Sequence, residues 1–205
     1  MKSNEELLLE VINGAVDGNT GVSVLLRKCR LLSDFFKNDN LTDWVTKELN
    51  GYDDWKNLPT YRVLDVGAKG LLLGPFNAQI NAQPLASAVL EKEHRHFAES
   101  VFLREPASAY EGLKDEGDGG YRVEWPGNLV LKYQSSFIKG YALNIAWQDI
   151  PVHALRTVPE TVKNRVLEFA LSLRNEFGES IDAQRAEVSE FIDSAIMNIL
   201  NGGKV

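Results

Sequence analysis

Apolar residues in the first fifty positions of the chain repeat at intervals of three and four. This spacing places them on one face of a helix, and each segment is followed by a break: glycines after the first, Asn38–Asn40 after the second and Gly51 after the third. Ser3 or Asn4 can cap the first segment, because both side chains accept hydrogen bonds from the free N–H groups at a helix start. The pattern predicts three helices: Glu5–Val16, a second containing Leu25, Leu26, Cys29, Leu32, Phe35 and Phe36, and a third over Thr42–Leu49.

Strand patterns occupy the middle of the chain. Apolar and amide residues alternate without a fault over Phe76–Gln83, which is typical of a strand with one face in water. The same amides can instead hydrogen-bond in a sheltered groove, and both interpretations stay open. Short turns separate the later strands, so the predicted sheet is mostly antiparallel. The other predicted strands cover residues 61–66, 71–73, 121–125, 129–133 and 141–147.

Helical patterns return between and after these strands. Ala86–Leu103 is predicted as a helix from its apolar positions. The longest helix is predicted over Val152–Phe177, with Pro159 marking its true first turn, and an amphipathic helix over Ile181–Leu200 follows. The predicted fold class is therefore α+β, with an N-terminal three-helix unit, a mostly antiparallel β-sheet and a C-terminal helical pair.

The last helix raises the question of self-association. We assign residues 1–178 to one α+β domain and residues 179–205 to a terminal segment, which is expected to serve oligomerisation or to link to an effector that these 205 residues do not include. Its apolar stripe can pack on the helix around Val162 or on a second copy, and a protein partner or self-association is expected. The predicted oligomerisation residues are Val188, Phe191, Ile192, Ile196 and Ile199.

Composition and charge narrow the range of partners. The 205 residues carry 22 Lys and Arg against 29 Asp and Glu, which gives a formal net charge of -7. Nucleic-acid-binding domains usually present a basic surface, so this charge disfavours nucleic acid without excluding a local basic patch. No apolar run approaches the length of a membrane span, and the acidic start of the chain differs from a secretion signal. We expect a cytoplasmic protein without a membrane contact.

The sequence contains no complete catalytic constellation. Motifs of serine hydrolases, zinc proteases and dinucleotide-binding proteins do not occur in it. Cys29 lies on the apolar face of its helix, where burial makes a thiol inert. His94 and His96 resemble a metal pair, but residues two apart on a helix point in nearly opposite directions. The acidic stretch Asp115–Gly120 is predicted as a mobile surface loop that lacks the ligand spacing of an EF-hand. We therefore predict no catalytic residue, no metal site and no cofactor.

Positive and aromatic side chains supply the predicted binding residues. Arg27 and Lys28 belong to the second helix and Lys163 and Arg165 to the longest one; if these helices pack side by side, the cations can hold a phosphate or an acidic partner. The alternative is a solvated helix surface with local ion pairs. Trp55 stands in a polar loop and is predicted as a partner contact. A nucleotide- or nucleic-acid-binding protein that uses these cations is the second function considered.

Five short motifs follow one another in a recognisable order: Leu25-Leu26-Arg27-Lys28-Cys29, Glu48-Leu49-Asn50-Gly51-Tyr52, Pro59-Thr60-Tyr61-Arg62, Asn81-Ala82-Gln83-Pro84-Leu85 and Val162-Lys163-Asn164-Arg165-Val166. Together they resemble the AbiTii domain, a family associated with bacterial abortive infection and other anti-phage systems. The resemblance extends over about Glu5 to Glu176 and departs from the pattern at Leu85-Ala86, where a second proline is expected. Arg62, from the third motif, completes the set of predicted binding residues.

This resemblance implies a biological setting more than a chemical reaction. Such domains are thought to act as recognition or regulatory modules, often at the front of larger proteins that carry a separate effector. The resemblance brings no catalytic residues with it. The expected function is therefore a non-enzymatic sensor or interaction module of an anti-phage defence system.

Overall fold

The computed structural model of the chain describes residues 3–114 and 120–200, and over these residues it has the predicted α+β class. Residues 115–119, which form most of the predicted acidic loop, lie outside this description. The chain divides into two units. Unit 1 comprises the described parts of residues 1–62, 104–113 and 156–205, and unit 2 those of residues 63–103 and 114–155. The predicted boundary at residue 178 falls inside the last segment of unit 1.

Seven α-helices and six β-strands lie within the described residues, and none of those helices is long and apolar enough to cross a membrane. The helices are α1 (Asn4–Val16), α2 (Val22–Phe36), α3 (Asp39–Asn50), α4 (His96–Glu99), α5 (Gly127–Lys132), α6 (Val152–Phe177) and α7 (Arg185–Leu200). The strands are β1 (Val63–Asp65), β2 (Ala68–Leu73), β3 (Gln79–Leu85), β4 (Ser100–Phe102), β5 (Tyr121–Glu124) and β6 (Ala142–Ile150).

Helix caps explain where the first and third helices begin. The Ser3 hydroxyl accepts a hydrogen bond from the Glu6 N–H, and the Glu6 carboxylate accepts one from the Ser3 N–H, which makes a complete capping box. Helix α3 begins at Asp39, three residues before the predicted start, because the Asn38 side chain accepts a hydrogen bond from the Leu41 N–H at 2.8 Å. The asparagines that were expected to break the helix therefore start the next one.

The core of unit 1 is formed by the apolar faces of its helices. The periodic residues of α2 are buried as predicted except Phe35, which is half-buried, and Trp44 of α3 is 1% exposed. Buried side chains of α6 and α7 join the same cluster, so one core serves all of these helices. Its members include Leu8, Val11, Leu25, Leu26, Leu32, Val45, Val162, Val166, Phe169, Leu173, Ile192 and Ile196.

The core of unit 2 lies on one side of a four-stranded antiparallel sheet with the strand order β3-β2-β6-β5. Strands β1 and β4 form a separate antiparallel pair. Both pairings agree with the predicted mostly antiparallel arrangement. The residues that share this second core include Ala68, Leu72, Leu85, Leu90, Trp125, Leu129, Val130, Tyr133, Leu143 and Ala146.

Two predicted elements of unit 2 are wrong. The predicted helix over 86–103 is instead a series of short turns, a single helical turn and strand β4, because Val101 pairs with Leu64 of β1. The predicted strand over 129–133 lies largely in helix α5, which follows Pro126 and buries Leu129 and Val130. Short apolar runs fit either element, so partners distant in sequence decide between them.

Pro159 does not mark the start of the longest helix. Helix α6 runs from Val152 to Phe177 with this proline inside it. The separate short element that was expected before Pro159 is therefore absent from the described residues. Burial of Leu155, Val158 and Val162 on one face accounts for the uninterrupted helix, since packing outweighs the hydrogen bond that proline removes.

Two glycines of unit 1 allow a matched test of this packing. Gly51 has a φ of 94°, and a Cβ there would lie 2.8 Å from the Arg104 carbonyl oxygen. Gly112 has a φ of 69°, and a Cβ there would meet nothing within 4 Å. We expect Gly112→Ala to cost about 1 kcal/mol from left-handed strain alone, and Gly51→Ala about 3 kcal/mol from strain and overlap together. Urea unfolding of both variants checks this, and equal losses would contradict it.

Candidate binding cleft

The polar centre of unit 1 is an ion pair between Glu48 of α3 and Arg62, which ends a short 3-10 turn. Both side chains are 0% exposed. The guanidinium donates two hydrogen bonds to the carboxylate, from Nε to Oε1 at 3.0 Å and from Nη2 to Oε2 at 2.5 Å. Such a bidentate pair is the geometry in which two buried charges satisfy each other best.

Three aromatic side chains complete this pair. The hydroxyls of Tyr52 and Tyr61 each donate to Oε1 of Glu48 at 2.7 Å, and the Trp44 indole N–H donates to the Tyr61 hydroxyl at 3.0 Å. The Arg62 guanidinium also lies over the Tyr52 ring and donates to the Glu105 carbonyl. Among the described residues, no buried side-chain nitrogen or oxygen is left without a hydrogen bond. Every buried polar side-chain atom of the network therefore has a hydrogen-bond partner.

Burial and charge keep both tyrosines of this network neutral. Burial is the largest cause that raises the pKa of Tyr52 and of Tyr61, and the nearby Glu48 carboxylate raises both further. For Arg62 burial acts in the opposite direction, but its hydrogen bond and charge interaction with Glu48 prevail and raise its pKa. The network thus contains one ionised pair and two neutral phenols.

Trp44 and Tyr52 of this network also line a cleft of 340 Å³. The cleft has an exposed ion pair on α3, with 2.6 Å between Lys47 Nζ and Asp43 Oδ2. A volume of this size, with aromatic walls and a few polar groups, suits a small molecule or a few residues of a peptide. The lining residues are Asp43, Trp44, Lys47, Tyr52, Asn57, Leu58, Pro59 and Leu200.

The four cations predicted to form a binding patch differ in their surroundings. Lys28 lies 3.5 Å from a Glu10 carboxylate oxygen, and Arg165 lies 3.7 Å from one of Glu168. Lys163 is 3.4 Å from Glu111, and Arg27 is exposed. The local ion pairs considered as the alternative interpretation are therefore present for three of the four. Whether these cations bind a partner stays a prediction.

The partner of Lys163 has a structural role of its own. Helix α2 starts after Gly21, which has no side chain to cap it. The carboxylate of Glu111 replaces that cap by accepting a hydrogen bond from the Val22 N–H at 2.8 Å. Lys163 balances the charge of this distant cap, so its ammonium is engaged in holding unit 1 together.

The other predicted binding residues lie on or near the network. Arg62 was expected to bind a partner, and this expectation is wrong for a surface contact because its side chain is fully buried. Trp55 is 39% exposed and stands in the 3-10 turn that also places Asn57 at the cleft. Sequence reasoning missed Asp43 and Lys47, although their spacing of four residues on one helix is a recognisable ion-pair signal.

The apolar stripe of α7 is already covered within unit 1. Val188, Ile192, Ile196 and Ile199 are each at most 1% exposed and belong to the same core cluster as Val162. Of the two packing arrangements considered for this stripe, the structure therefore has the one inside the chain. Phe191 is half-buried and lines a hollow of 490 Å³ together with Phe177. Self-association itself stays a prediction.

Cysteine and histidine chemistry gives little further indication of a site. Cys29 is fully buried, and burial raises the pKa of its thiol to about 12. Among the described residues, one group of potential metal ligands occurs, in which the ligand atoms of Glu91, Glu93 and His94 lie within 4.8 Å of one another. Lys132 binds Glu91 at 2.5 Å, and Nδ1 of His94 is hydrogen-bonded to a tyrosine hydroxyl, so neighbouring side chains already occupy part of this group.

The fold and the site together define the class of protein. It is an α+β protein in which a helical unit buries a fully hydrogen-bonded ion pair next to an open cleft. The AbiTii family profile matches residues 6–199, nearly the whole chain. The chain therefore belongs to the AbiTii family, as the order of its motifs indicated, and is related to bacterial abortive infection. No curated protein and no solved structure matches it.

Removing one member of the ion pair tests its contribution to stability. Glu48→Ala leaves a buried guanidinium without its carboxylate, so we expect the free energy of unfolding to fall by about 4 kcal/mol. The double variant Glu48→Leu with Arg62→Met removes both charges and should recover part of that loss, since the Tyr52 and Tyr61 hydroxyls still lose their acceptor. Urea unfolding of the full chain measures both, with Tyr61→Phe as a milder control at about 1 kcal/mol. Equal losses in the single and double variants would show that charge pairing is unimportant.

The two tyrosines of the network predict how stability depends on alkaline pH. Their pKa values are raised in the folded state, so the folded chain retains protons that the unfolded chain releases. This contribution is complete below the ordinary tyrosine pKa of 10.0 and is lost as the pH rises above it. Phenolate absorbance of these two rings should appear together with the loss of helical circular dichroism. Ionisation of all 6 tyrosines in a chain that is still folded would refute this.

Proposed function

We propose that this chain is a non-enzymatic recognition and regulatory module of an abortive-infection system and that it binds a protein segment in the cleft lined by α3 and residues 57–59. The observation that carries the proposal is that two aromatic rings belong both to the cleft and to the buried network. Trp44 and Tyr52 line the cleft, and both belong to the hydrogen-bond network around Glu48. Both rings are buried, so a ligand in the cleft lies next to side chains on which the interior of unit 1 depends.

The lining of the cleft suits a peptide. Leu58 and Pro59 offer apolar contact, while the amide of Asn57 can donate to or accept from a peptide backbone. Asp43 and Lys47 place one negative and one positive group at the cleft, so the site has no excess of positive charge. A polyanion such as nucleic acid needs several unpaired cations. A protein partner is therefore favoured over the nucleotide- or nucleic-acid-binding alternative.

The state of the reactive groups supports a role without catalysis. The thiol of Cys29 is buried and has a raised pKa, which is the opposite of an activated nucleophile. The Glu48 carboxylate accepts four hydrogen bonds from three neighbouring side chains, which leaves it poorly placed to take a proton from a substrate.

Regulation through this cleft has a simple physical route. The Trp44 indole donates to the Tyr61 hydroxyl, which in turn donates to Glu48. A ligand that moves Trp44 breaks the first of these hydrogen bonds and changes how a buried carboxylate is satisfied. Binding in the cleft is thereby coupled to the buried network around Glu48, where the loss of a hydrogen bond is costly.

Filling the cleft tests the proposal in cells. Asn57→Trp places a large ring at the cleft, whereas Asn13→Trp makes the same exchange at an exposed position of α1. In bacteria that express the chain with its neighbouring genes, we expect Asn57→Trp to reduce protection against phage by about tenfold or more, as a loss of affinity of ~1.4 kcal/mol implies. Asn13→Trp should protect like the unaltered chain.

Two measurements complete this experiment. Thermal unfolding should give similar midpoints for both tryptophan variants, which separates loss of binding from loss of folding. Full protection by a folded Asn57→Trp chain would refute the cleft as the binding site. Turnover of nucleotides or nucleic acid by the purified unaltered chain would refute the non-enzymatic role.

A further inference from the structure

Residues 70–90, which contain the β2–β3 hairpin apart from Ala68 and Lys69 at its start, differ from the rest of the chain in their lack of charge. They contain no Asp, Glu, Lys, Arg or His. In the whole chain, Asp, Glu, Lys and Arg together make up 25% of the residues. Solvent-exposed segments normally carry charged side chains, whereas the centres of protein interfaces are depleted of them. This stretch thus has the composition of an interface while part of it is exposed.

The tip of this hairpin presents a strained and fully exposed aromatic ring. The Phe76 side chain is 104% exposed, and its backbone is left-handed at φ 54° and ψ 37°. Asn77 is left-handed as well, with φ 61°, so both central residues of the turn adopt a conformation that favours Asn and Gly. Neither burial nor backbone preference within unit 2 accounts for phenylalanine at this position. A contact outside the chain would account for it.

The strand that follows this tip is an edge of the sheet. Gln79 and Asn81 of β3 are exposed, and neither carries the charge that commonly protects an edge strand from pairing. Irregularities do protect the second half of β3, where Ala82 has a φ of 51° and Pro84 lacks an N–H. Gln79 and Ile80, next to Phe76, pair regularly with β2 before these irregularities begin.

We propose that this hairpin binds the same hairpin of a second copy of the chain about a two-fold axis. The side chains themselves indicate a second copy, because an amide both donates and accepts and can pair with its own equivalent across the axis. Carboxylates and ammonium groups cannot pair with themselves in this way. Phe76 of each copy inserts between the two hairpins, and Gln79 and Asn81 supply the polar rim.

Charge also favours this face for self-association. Two copies with a net charge of -7 each repel one another, and a contact made by residues 70–90 of each copy opposes no like charges directly. Nucleic acid and anionic membranes need cations, which residues 70–90 do not contain. The inference goes beyond the proposed function, whose cleft residues all belong to unit 1. It also moves the predicted self-association from the buried α7 stripe to a different surface.

Sedimentation equilibrium of the full chain tests this inference. We expect the average mass to rise with concentration from 22.9 kDa towards twice that value. Phe76→Ser should weaken the association by about tenfold or more, as truncation of an aromatic side chain at the centre of an interface does. Leu131→Ser is the matched control, since Leu131 is 68% exposed on α5 and lies outside the proposed contact. It should associate like the unaltered chain.

Two further variants separate binding from folding. Phe76→Gly removes the left-handed strain, so we expect a higher thermal midpoint together with the loss of association. Gln79→Lys places like charges opposite each other and should weaken the association without changing the midpoint. A mass that stays at 22.9 kDa up to about 200 µM would overturn the inference, because an interface with a micromolar Kd would associate at that concentration. Equal behaviour of Phe76→Ser and Leu131→Ser would overturn it as well. Protection assays on the cleft variants are independent of either outcome.

Discussion

Glu48 and Arg62 stand fourteen positions apart in the sequence, and each would be very costly to bury without the other. Together they fix where α3 lies relative to the segment that leaves it, since the guanidinium must meet the carboxylate in one plane. Tyr52 and Tyr61 then have to approach the same oxygen, and Trp44 has to reach Tyr61. A single desolvated pair thereby determines the positions of three aromatic rings and, through two of them, the shape of the cleft.

The motifs that carry the family resemblance acquire a physical meaning from this network. Glu48 and Tyr52 belong to one motif, and Pro59, Tyr61 and Arg62 to the next. Four of these five side chains join the buried network, and the fifth lines the cleft. These two of the five motifs thus describe how unit 1 is held together. They do not describe a reaction, which fits a family known for its biological setting.

The described surface uses charge in two contrasting ways. In unit 1 the cations Lys28, Lys163 and Arg165 are paired with nearby carboxylates, so they contribute to local order. In unit 2 residues 70–90 contain no charged side chain, and this segment exposes an aromatic ring. Isolated exposed ion pairs add little stability, whereas an exposed apolar group in a strained backbone carries a real cost. The exposed aromatic ring of unit 2 is therefore more informative about contacts outside the chain than the ion pairs of unit 1.

Local periodicity in the sequence determined the helices α1, α2, α6 and α7 and the strands β5 and β6 to within a few residues, because an amphipathic pattern repeats over many positions. The periodicity failed for residues 86–103 and 129–133, where short apolar runs suit a helix or a strand equally well. In the first of these segments the pairing of β4 with β1 selects the strand. The family motif added Arg62 to the predicted binding residues, whereas its side chain is fully buried. Sequence shows that an arginine is present, but only the folded chain brings a carboxylate, two phenols and a carbonyl around it and makes burial favourable.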